Sequence, residues 1–422
     1  MHGQVGSTMQ ILVINSGSSS IKFSIFEAFA PPGGNAPTVT PRSLFEGALS
    51  DIGKAESTLT THATGAGAEK SATKKVGIHG VKQAIDEVLK VVSGSGVPAF
   101  EAVGYRVVHP GPKLREHVRI TEDVLKDLEA ASEFAPLHDP EAVQMIRAFM
   151  ERFPKLPHYA CFDTVFHQTM PAEASTYPLP PEYAACGVRR YGFHGLSCES
   201  IVRQLKRAGE VPRRMVIAHL GSGCSVTALV DGRSMDTTMG LTPTGGVVMG
   251  TRSGDLDPGL VLYLLREGNG DRVTEVEALL NHRSGLVALS GMENDVKAMR
   301  AAAEKNARAT LALKIFTRSV TKAMGGFSWL LGGLDAIVFA GGIGEHDSHT
   351  RAEVVGGLGA LGVSLDALLN LNLDRSKDGI GAGGIQRISS QDSATAVLVV
   401  PAREDQMIAV HVEEMARQEA RS

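Results

Sequence analysis

Small polar residues and one lysine follow a predicted buried strand close to the start of the chain. Residues 11–26 read ILVINSGSSSIKFSIF, an apolar run followed by a Gly/Ser turn and then by alternating apolar and polar residues. This pattern predicts a β-hairpin whose turn carries Asn15, Ser18 and Ser20, with Lys22 just beyond it. Hydroxyl groups, backbone N–H groups and a nearby cation suit a polyphosphate, although an ordinary hydrophilic turn explains this stretch alone equally well.

A similar arrangement recurs half a chain later, and this favours the phosphate-binding interpretation. Residues 215–230 read MVIAHLGSGCSVTALV, with Gly221, Ser222 and Gly223 in the turn of a second predicted hairpin. A third glycine turn, AGGIGE at 340–345, follows another apolar strand. A repeat at this spacing predicts two duplicated domains that face one another.

Charged side chains occur in or near other predicted strands. Arg106 lies inside the apolar strand of VGYRVVH, where a buried guanidinium needs an anionic partner, unless it faces solvent on an edge strand. Asp163 follows the strand HYACF, where a carboxylate serves either chemistry or a helix cap. His194 lies in a basic and aromatic turn. Arg252 lies in a glycine-rich stretch, 236–258, and loops of this length inside compact domains are usually functional.

Several helices and one late strand complete the predicted elements. Apolar spacing predicts a helix over Val81 to Val92 and a long helix over Ala307 to Leu331, interrupted at Gly325-Gly326. A helix capped by Ser197 is predicted after His194. A final strand and a C-terminal helix are predicted over 394–400 and from Glu404 onward.

Composition describes an ordinary soluble protein with room for two domains. The chain has 422 residues, 43% hydrophobic and 21% charged. A net charge of -4 gives no reason to expect nucleic acid or an anionic membrane as a partner. There is no apolar run of the ~20 residues needed to span a membrane, and the N-terminus does not resemble a secretory signal. Four cysteines without C-x-x-C spacing predict free thiols in the cytoplasm.

Taken together, the motifs resemble the acetate kinase family, which forms acyl phosphates from short carboxylic acids. The resemblance runs from Ile11 to about Ala409. The motifs that carry it are NSGSSSIK (15–22), RVVH (106–109), FDTVFHQTMP (162–171), RRYGFHG (189–195), MGTRSGDLDP (249–258) and GLDAIVFAGGIGE (333–345).

The resemblance implies an α/β fold with two duplicated ribonuclease H-like domains of the actin-like ATPase type and a nucleotide cleft between them. The first domain would comprise 1–165, with the C-terminal segment 385–422 packed back on it. The second domain, 166–384, would carry the adenosine site.

The resemblance also implies roles for individual residues. Arg106 would bind the substrate carboxylate, and Asp163 would be the catalytic carboxylate. His194 and Arg252 would stabilise the transferring phosphoryl group. The small apolar pocket for the acyl methyl group would be formed by Val108, Leu137, Phe193 and Pro243.

Nucleotide and metal sites follow in the same way. Asn15 and Glu404 would hold Mg²⁺, with Mn²⁺ as an alternative, and ATP or ADP would be the co-substrate. The implied nucleotide-binding residues are Lys22, Ser18, Ser20, His219, Leu220, Gly221, Ser222, Gly223, Asp295, Val296, Lys297, Gly342, Ile343, Gly344, Glu345 and His346.

The implied reaction is reversible, direct in-line phosphoryl transfer from ATP to acetate, giving acetyl phosphate and ADP. Acetate is ionised at neutral pH and needs no strong base, so the difficulty is to bring two anions together. Asp163 therefore suits an orienting or metal-water role better than proton removal.

Several alternatives stay open at the level of sequence. Propionate differs by one methylene, worth about 1–3 kcal/mol in an apolar pocket, so a propionate kinase or a dual kinase fits as well. An actin-like switch ATPase, a sugar kinase and a catalytically silent paralogue are the other candidates. The resemblance implies a homodimer with small-molecule substrates.

The chain departs from the family pattern at several positions near the nucleotide. The family sequence HLGNG reads HLGSG here, with Ser222 in place of asparagine, and GEN reads GEH at His346. Other departures are Asp139, Leu196, Cys198, the TPTGG run at 242–246 and the acidic pair Glu404-Asp405. We expect these changes to affect nucleotide affinity or phosphoryl-donor preference and not the reaction class.

Overall fold

The computed structural model of the chain describes residues 7–17, 20–30, 39–54, 56–64, 70–131, 139–209, 211–267, 270–375 and 384–421. Two of the predicted site residues, Ser18 and Leu137, lie outside these ranges. The chain divides into two compact units, one of residues 1–165 with 403–422 and one of residues 166–402. No helix in the described ranges is both long enough and apolar enough to cross a membrane.

The first unit is built on a mixed sheet with the strand order β5-β4-β3-β2-β1-β6-β8-β7. Strands β1 and β2 form the predicted hairpin, and β6 and β8 extend the sheet in parallel with β1. The strands of this unit are β1 (Ser7–Gly17), β2 (Ser20–Ala30), β3 (Arg42–Ser50), β4 (Ser57–Ala63), β5 (Lys70–Val76), β6 (Ala102–Val107), β7 (Val118–Arg119) and β8 (His158–Phe162). Its helices are α1 (Val81–Val92), α2 (Glu122–Ala131), α3 (Asp139–Arg152) and α15 (Glu404–Glu419).

Strand β1 is the centre of the first unit because both of its faces are covered. Four consecutive apolar residues, 11–14, are at most 1% exposed, as expected for a strand with packing on either side. The C-terminal helix α15 packs close to the neighbouring strand β6 at Gly104. A Cβ atom on Gly104 would lie 2.6 Å from Val412 and 2.8 Å from Ile408, so only glycine lets the helix approach this closely.

The second unit contains a sheet with the order β11-β10-β9-β12-β14-β13. Its strands are β9 (Arg214–Leu220), β10 (Cys224–Val230), β11 (Arg233–Thr237), β12 (Ala336–Ala340), β13 (Gln386–Arg387) and β14 (Ala396–Val399). Its helices are α4 (Ala172–Ser175), α5 (Pro181–Ala185), α6 (Gly195–Arg207), α7 (Pro258–Arg266), α8 (Arg272–His282), α9 (Gly285–Ser290), α10 (Val296–Ala302), α11 (Ala307–Leu330), α12 (Gly341–His346), α13 (Ser348–Gly356) and α14 (Ala367–Arg375). Two short 3₁₀ helices cover Val165–Thr169 and Gly359–Leu361.

The two sheets repeat one topology. In each, three antiparallel strands are followed by two strands that run parallel to the first: β6 and β8 beside β1, and β12 and β14 beside β9. This is the strand order 3-2-1-4-5 of a ribonuclease H-like fold, present twice. The predicted α/β fold class, with duplicated actin-like units, is confirmed.

Three details of the sequence prediction are corrected by the structure. The segment 385–422 divides, because β14 pairs in parallel with β12 and so belongs to the second unit, and only the part from Arg403 joins the first. Helix α11 is continuous through Gly325-Gly326, because both glycines border open space and a 24-residue helix tolerates their cost of about 1 kcal/mol each. Helix α6 begins at Gly195, before the predicted cap Ser197, because His194 takes the N-cap position.

Candidate active-site residues

Three central strands of the first unit bring Asn15, Arg106 and Asp163 to one edge of the sheet. Strand β1 runs parallel to β6 with Ile14 opposite Tyr105, and β6 runs parallel to β8. Asn15 and Arg106 therefore lie one residue further along neighbouring strands, and Asp163 directly follows β8. The carboxyl ends of parallel strands are where open α/β sheets bind ligands.

Arg106 is an internal arginine held by a buried carboxylate. Its Nε donates to Asp163 Oδ2 at 3.0 Å, its Nη2 donates to the same oxygen, and its Nη1 donates to Asn15 Oδ1 at 3.4 Å. Asp163 is fully buried and Arg106 is 15% exposed. Burial alone would lower the pKa of Arg106, but the charges of Asp163 and Glu404 raise it above its usual value. The alternative of a solvent-facing arginine on an edge strand is therefore excluded.

The first turn of α15 brings two carboxylates to Asn15. The Asn15 amide nitrogen donates to Asp405 at 2.7 Å and to Glu404 at 3.4 Å. Burial raises the pKa of Asp405, and the charge of Glu404 adds to this effect. The available metal ligands are thus the carboxylates of Glu404 and Asp405 and the amide oxygen of Asn15, which are hard oxygen ligands of the kind that Mg²⁺ binds. These residues fit a divalent cation, and Asp405 belongs to the set beside the predicted Glu404.

Lys22 and Ser20 lie on the second strand of the first hairpin. Lys22 pairs with Asn15 in the β1–β2 register and its side chain is exposed. Ser20 pairs with Gly17 at the turn and is half-buried. The hairpin therefore carries its cation directly across from the proposed metal-binding residue.

In the second unit, His194 has an unusual backbone conformation and its side chain contacts two polar residues. His194 has a left-handed backbone with φ of 60°, rare for a residue with a side chain. Its Nδ1 is 2.9 Å from the Ser225 hydroxyl, and its ring stacks on that of His219 with 4.1 Å between centroids. His219 in turn bonds the Ser197 hydroxyl at 2.8 Å. A positive φ at such a residue stores strain, and strain of this kind concentrates at functional sites.

The turn of the second hairpin meets both predicted phosphoryl-stabilising side chains at Gly223. A Cβ atom placed on Gly223 would lie 3.3 Å from His194 Nε2 and 3.5 Å from Arg252 Nη1. The contact with His194 is tighter than most side chains experience, so glycine permits this approach, while the distance to Arg252 is an ordinary van der Waals contact. His194 and Arg252, separated by 58 positions in the sequence numbering, thus border the same turn.

The loop that carries Arg252 packs against a glycine, Gly285, that is not among the predicted site residues. Arg252 Nη1 donates to the Pro243 carbonyl oxygen at 3.2 Å, and the Met249 N–H donates to the Arg252 carbonyl oxygen at 3.2 Å. Gly285, with φ of 64°, packs against this loop so closely that a Cβ atom would collide with the Met249 oxygen and lie 2.7 Å from the Arg252 oxygen. Any side chain at Gly285 would displace Arg252.

The third glycine turn, which includes the predicted adenosine site, packs against the second hairpin. Gly341 has φ of 75°, and a Cβ atom there would lie 2.7 Å from the Leu220 carbonyl oxygen. The Glu345 carboxylate braces the turn internally by accepting from the N–H groups of Gly341 at 2.9 Å and Ala402 at 3.0 Å. The two predicted nucleotide-binding turns, 219–223 and 341–346, therefore lie next to each other.

A buried arginine holds this turn from the opposite side. Arg351 is 0% exposed, and its Nη1 donates to the carbonyl oxygens of Gly344 and Glu345, each at 3.0 Å. Its other nitrogens donate to the side chain and backbone of Asn370 at 2.7 Å and 3.0 Å. Arg351 is not predictable from the sequence, since an arginine in a helix gives no local sign of such contacts.

The structure gives the positions of the remaining predicted residues, but no described contact joins them into one pocket. Asp295 caps α10 by accepting from the Ala298 N–H at 3.0 Å, and Val296 is buried while Lys297 is exposed. Gly342 and His346 are exposed on α12, and Ile343 is half-buried. Phe193 and Pro243 are buried in the second unit and Val108 is half-buried in the first, so the acyl pocket stays a prediction.

Two ribonuclease H-like units, each with a polar glycine turn between its first two strands, define a protein of the actin-like ATPase superfamily, in which such turns bind nucleotide phosphates. Within that class the chain belongs to the acetokinase family, whose sequence profile matches residues 10–410.

Similar proteins cover the chain almost from end to end. The acetate kinase of Halothermothrix orenii is 39% identical over 410 residues, which span 95% of this chain and 98% of that protein. The crystal structure of Porphyromonas gingivalis acetate kinase superposes with a TM-score of 0.79 at 31% identity, covering 97% of this chain and 100% of the other. A propionate kinase from Francisella tularensis superposes with a TM-score of 0.80 at 34% identity, covering 95% and 98%.

Proposed function

We propose that the protein is a Mg²⁺-dependent acetate kinase that transfers a phosphoryl group directly from ATP to acetate, forming acetyl phosphate and ADP. The observation that carries the proposal is the convergence of His194 and Arg252 on Gly223 at the tip of a phosphate-type hairpin. Family membership and relatives about 40% identical along almost the whole chain support this reaction, which we propose to be reversible.

The proposed reaction needs positive charge more than it needs proton transfer. Phosphoryl transfer depends on positioning and on electrostatic stabilisation of the transferring group. Acetate is itself the nucleophile, and its pKa lies far below 7, so no general base is required. His194 and Arg252 would donate hydrogen bonds to the oxygens of the transferring phosphoryl group and stabilise the charge that spreads over them.

Arg106 would bind and orient the acetate carboxylate. Its guanidinium is held by two bonds to Asp163, while Nη1 makes a longer bond of 3.4 Å to Asn15 that an incoming carboxylate could replace. In this arrangement Asp163 fixes the direction of the Arg106 fork and does not accept a proton. A planar guanidinium suits this task because it matches a carboxylate geometrically.

The cation would be held by Asn15, Glu404 and Asp405, with Mg²⁺ preferred and Mn²⁺ accepted for the same oxygen ligands. When bound, it would neutralise charge on the nucleotide phosphates. The exposed Lys22 across the hairpin would add a second positive charge. The turns at 219–223 and 341–346, with the Asp295–Lys297 segment, would bind the nucleotide.

Propionate is the second candidate substrate, since the similar Francisella protein is a propionate kinase. An apolar pocket distinguishes the two acids by only about 1–3 kcal/mol, so we expect activity on both. A cytoplasmic location and a homodimer belong to the proposal as well. In support of a reducing compartment, none of the four described cysteines, Cys161, Cys186, Cys198 and Cys224, forms a disulfide bond.

Acyl-phosphate trapping with hydroxylamine tests the proposal. The protein would be incubated with ATP, Mg²⁺ and formate, acetate, propionate or butyrate. We expect hydroxamate from acetate and propionate, and its loss in Arg252→Ala. ATP binding without hydroxamate from any acid would overturn the kinase assignment and support the actin-like switch ATPase.

A further inference from the structure

Ser222 is the exposed residue of the second hairpin turn, and it lies next to the glycine that borders His194 and Arg252. It stands between Gly221 and Gly223, and Gly223 borders both His194 and Arg252. Its side chain is exposed, while its backbone carbonyl oxygen accepts from the Gly250 N–H at 3.2 Å. The Ser222 backbone is therefore held by a hydrogen bond, and the hydroxyl on its exposed side chain remains accessible.

A residue outside the predicted site contacts that hydroxyl. The Asn294 amide nitrogen donates to Ser222 Oγ at 3.0 Å, although the two residues are 72 positions apart. A Cβ atom on Gly250 would collide with the Asn294 amide, so Gly250 leaves the space in which that amide lies. Gly250 thus contacts both partners, and its loop continues to Arg252.

The direction of this hydrogen bond decides what Ser222 can offer a ligand. A serine hydroxyl has one proton and two acceptor lone pairs. Because the Asn294 amide donates to the oxygen, the Ser222 proton is left to point elsewhere. A hydroxyl that accepts one hydrogen bond also donates a stronger one. Beside the Arg252 guanidinium, the acceptor of matching chemistry is an anionic phosphate oxygen.

We propose that Asn294 is a positioning residue that makes Ser222 a hydrogen-bond donor to the nucleotide phosphates. This inference rests on the proposed function, because it assumes that the second hairpin binds nucleotide. It also explains how the chain can lack an asparagine at position 222, since the amide comes from Asn294 on a neighbouring loop and acts through the serine.

A double-mutant cycle with Ser222→Ala and Asn294→Ala tests the pairing. Steady-state kinetics would measure KM for ATP, KM for acetate and kcat, and calorimetry would measure ADP affinity without turnover. Asn372→Ala is the matched control, an exposed asparagine on α14 of the same unit. Thermal melting of each variant would confirm folding.

Each single variant should raise KM for ATP about threefold to tenfold and weaken ADP binding equally, with KM for acetate unchanged. The double variant should lose no more than the worse single variant, since both act through one hydroxyl. The exchange variant Ser222→Asn with Asn294→Ser, which keeps one amide and one hydroxyl, should recover ATP affinity beyond either single variant.

Additive losses, or an Asn294→Ala protein with unchanged nucleotide affinity, would overturn the pairing. Failure of the kinase assignment would look different. The wild-type protein would then form no acetyl phosphate, while the calorimetric cycle with ADP would still decide the role of Asn294.

Discussion

Arg106 and Asp163 form an internal ion pair in which one carboxylate oxygen accepts from two nitrogens of the guanidinium. The pair lies across two adjacent parallel strands, and Asp163 is fully buried. Asp163 therefore compensates the arginine charge in the structure and, in the proposed reaction, would also fix the direction of the guanidinium. Substitutions can separate the two roles.

Asp163→Asn should lower both activity and stability, because it leaves the Arg106 charge without its buried counter-ion. We expect a loss of about 3 kcal/mol in the free energy of unfolding, typical of a broken buried pair. We also expect at least a hundredfold loss in kcat, because misplaced catalytic groups cost about that much. The double variant Arg106→Met with Asp163→Asn should regain stability in urea denaturation but no activity. Recovered activity in the double variant would contradict the assigned role of Arg106.

The parts of this site differ in how well they can be predicted from the sequence. The two hairpins, at 11–26 and 215–230, can be predicted from local sequence, because apolar strands and a glycine turn occur within one short stretch. The contact between Asn15 and Asp405 spans 390 positions and has no local sign. This contact is apparent only in the folded structure, because the packing of α15 against β1 and β6 brings Asn15 and Asp405 together.

The supporting residues were harder to predict than the functional ones. Gly285 matters only because another loop lies against it, and Arg351 matters only because four acceptors converge on it. Neither position differs in sequence from an ordinary glycine or helical arginine. The boundary at 385 was misplaced for a related reason, because the pairing partner of β14 is not visible in its own sequence.

Gly223→Ala should reduce catalysis without unfolding the protein. The added methyl group would press on His194 Nε2 at 3.3 Å, so the imidazole ring must move by a few tenths of an ångström, and it would touch Arg252 Nη1 at 3.5 Å. We expect kcat to fall about tenfold to a hundredfold with little change in melting temperature. Gly325→Ala is the control, because it borders open space in α11 and should stabilise the protein by about 1 kcal/mol with normal kinetics. Normal kcat in Gly223→Ala would argue against convergence on this turn.

His167 should make the second unit sensitive to acid. Burial lowers the pKa of His167 to about 4, although its bond to the Phe193 carbonyl oxygen opposes the shift. The unfolded chain, with a histidine pKa of 6.5, therefore binds more protons than the folded chain between pH 6.5 and pH 4. The stabilisation from neutral His167 is complete above pH 6.5 and is lost as the pH falls towards 4.

Urea denaturation between pH 4.5 and 7.5 measures this effect. His167→Gln, which can still donate to the Phe193 carbonyl oxygen, should lose less stability on acidification than the wild type. The difference across this range should reach about 2–3 kcal/mol. His282→Gln, an exposed histidine on α8, is the control and should follow the wild type. Parallel curves for wild type and His167→Gln would refute the assignment.

Arg351→Lys should weaken nucleotide binding selectively, although Arg351 lies beneath the predicted adenosine turn and not in it. Lysine keeps the charge but cannot reach the carbonyl oxygens of Gly344 and Glu345 together with both acceptors on Asn370. We expect KM for ATP to rise about tenfold while KM for acetate stays within twofold, because only the turn at 341–346 loses its brace. Arg308→Lys provides a control for general loosening, since Arg308 also donates to two carbonyl oxygens, those of Ala288 and Leu289, at another helix end. Equal increases in both KM values for Arg351→Lys would show that the arginine supports the whole unit and not the nucleotide turn.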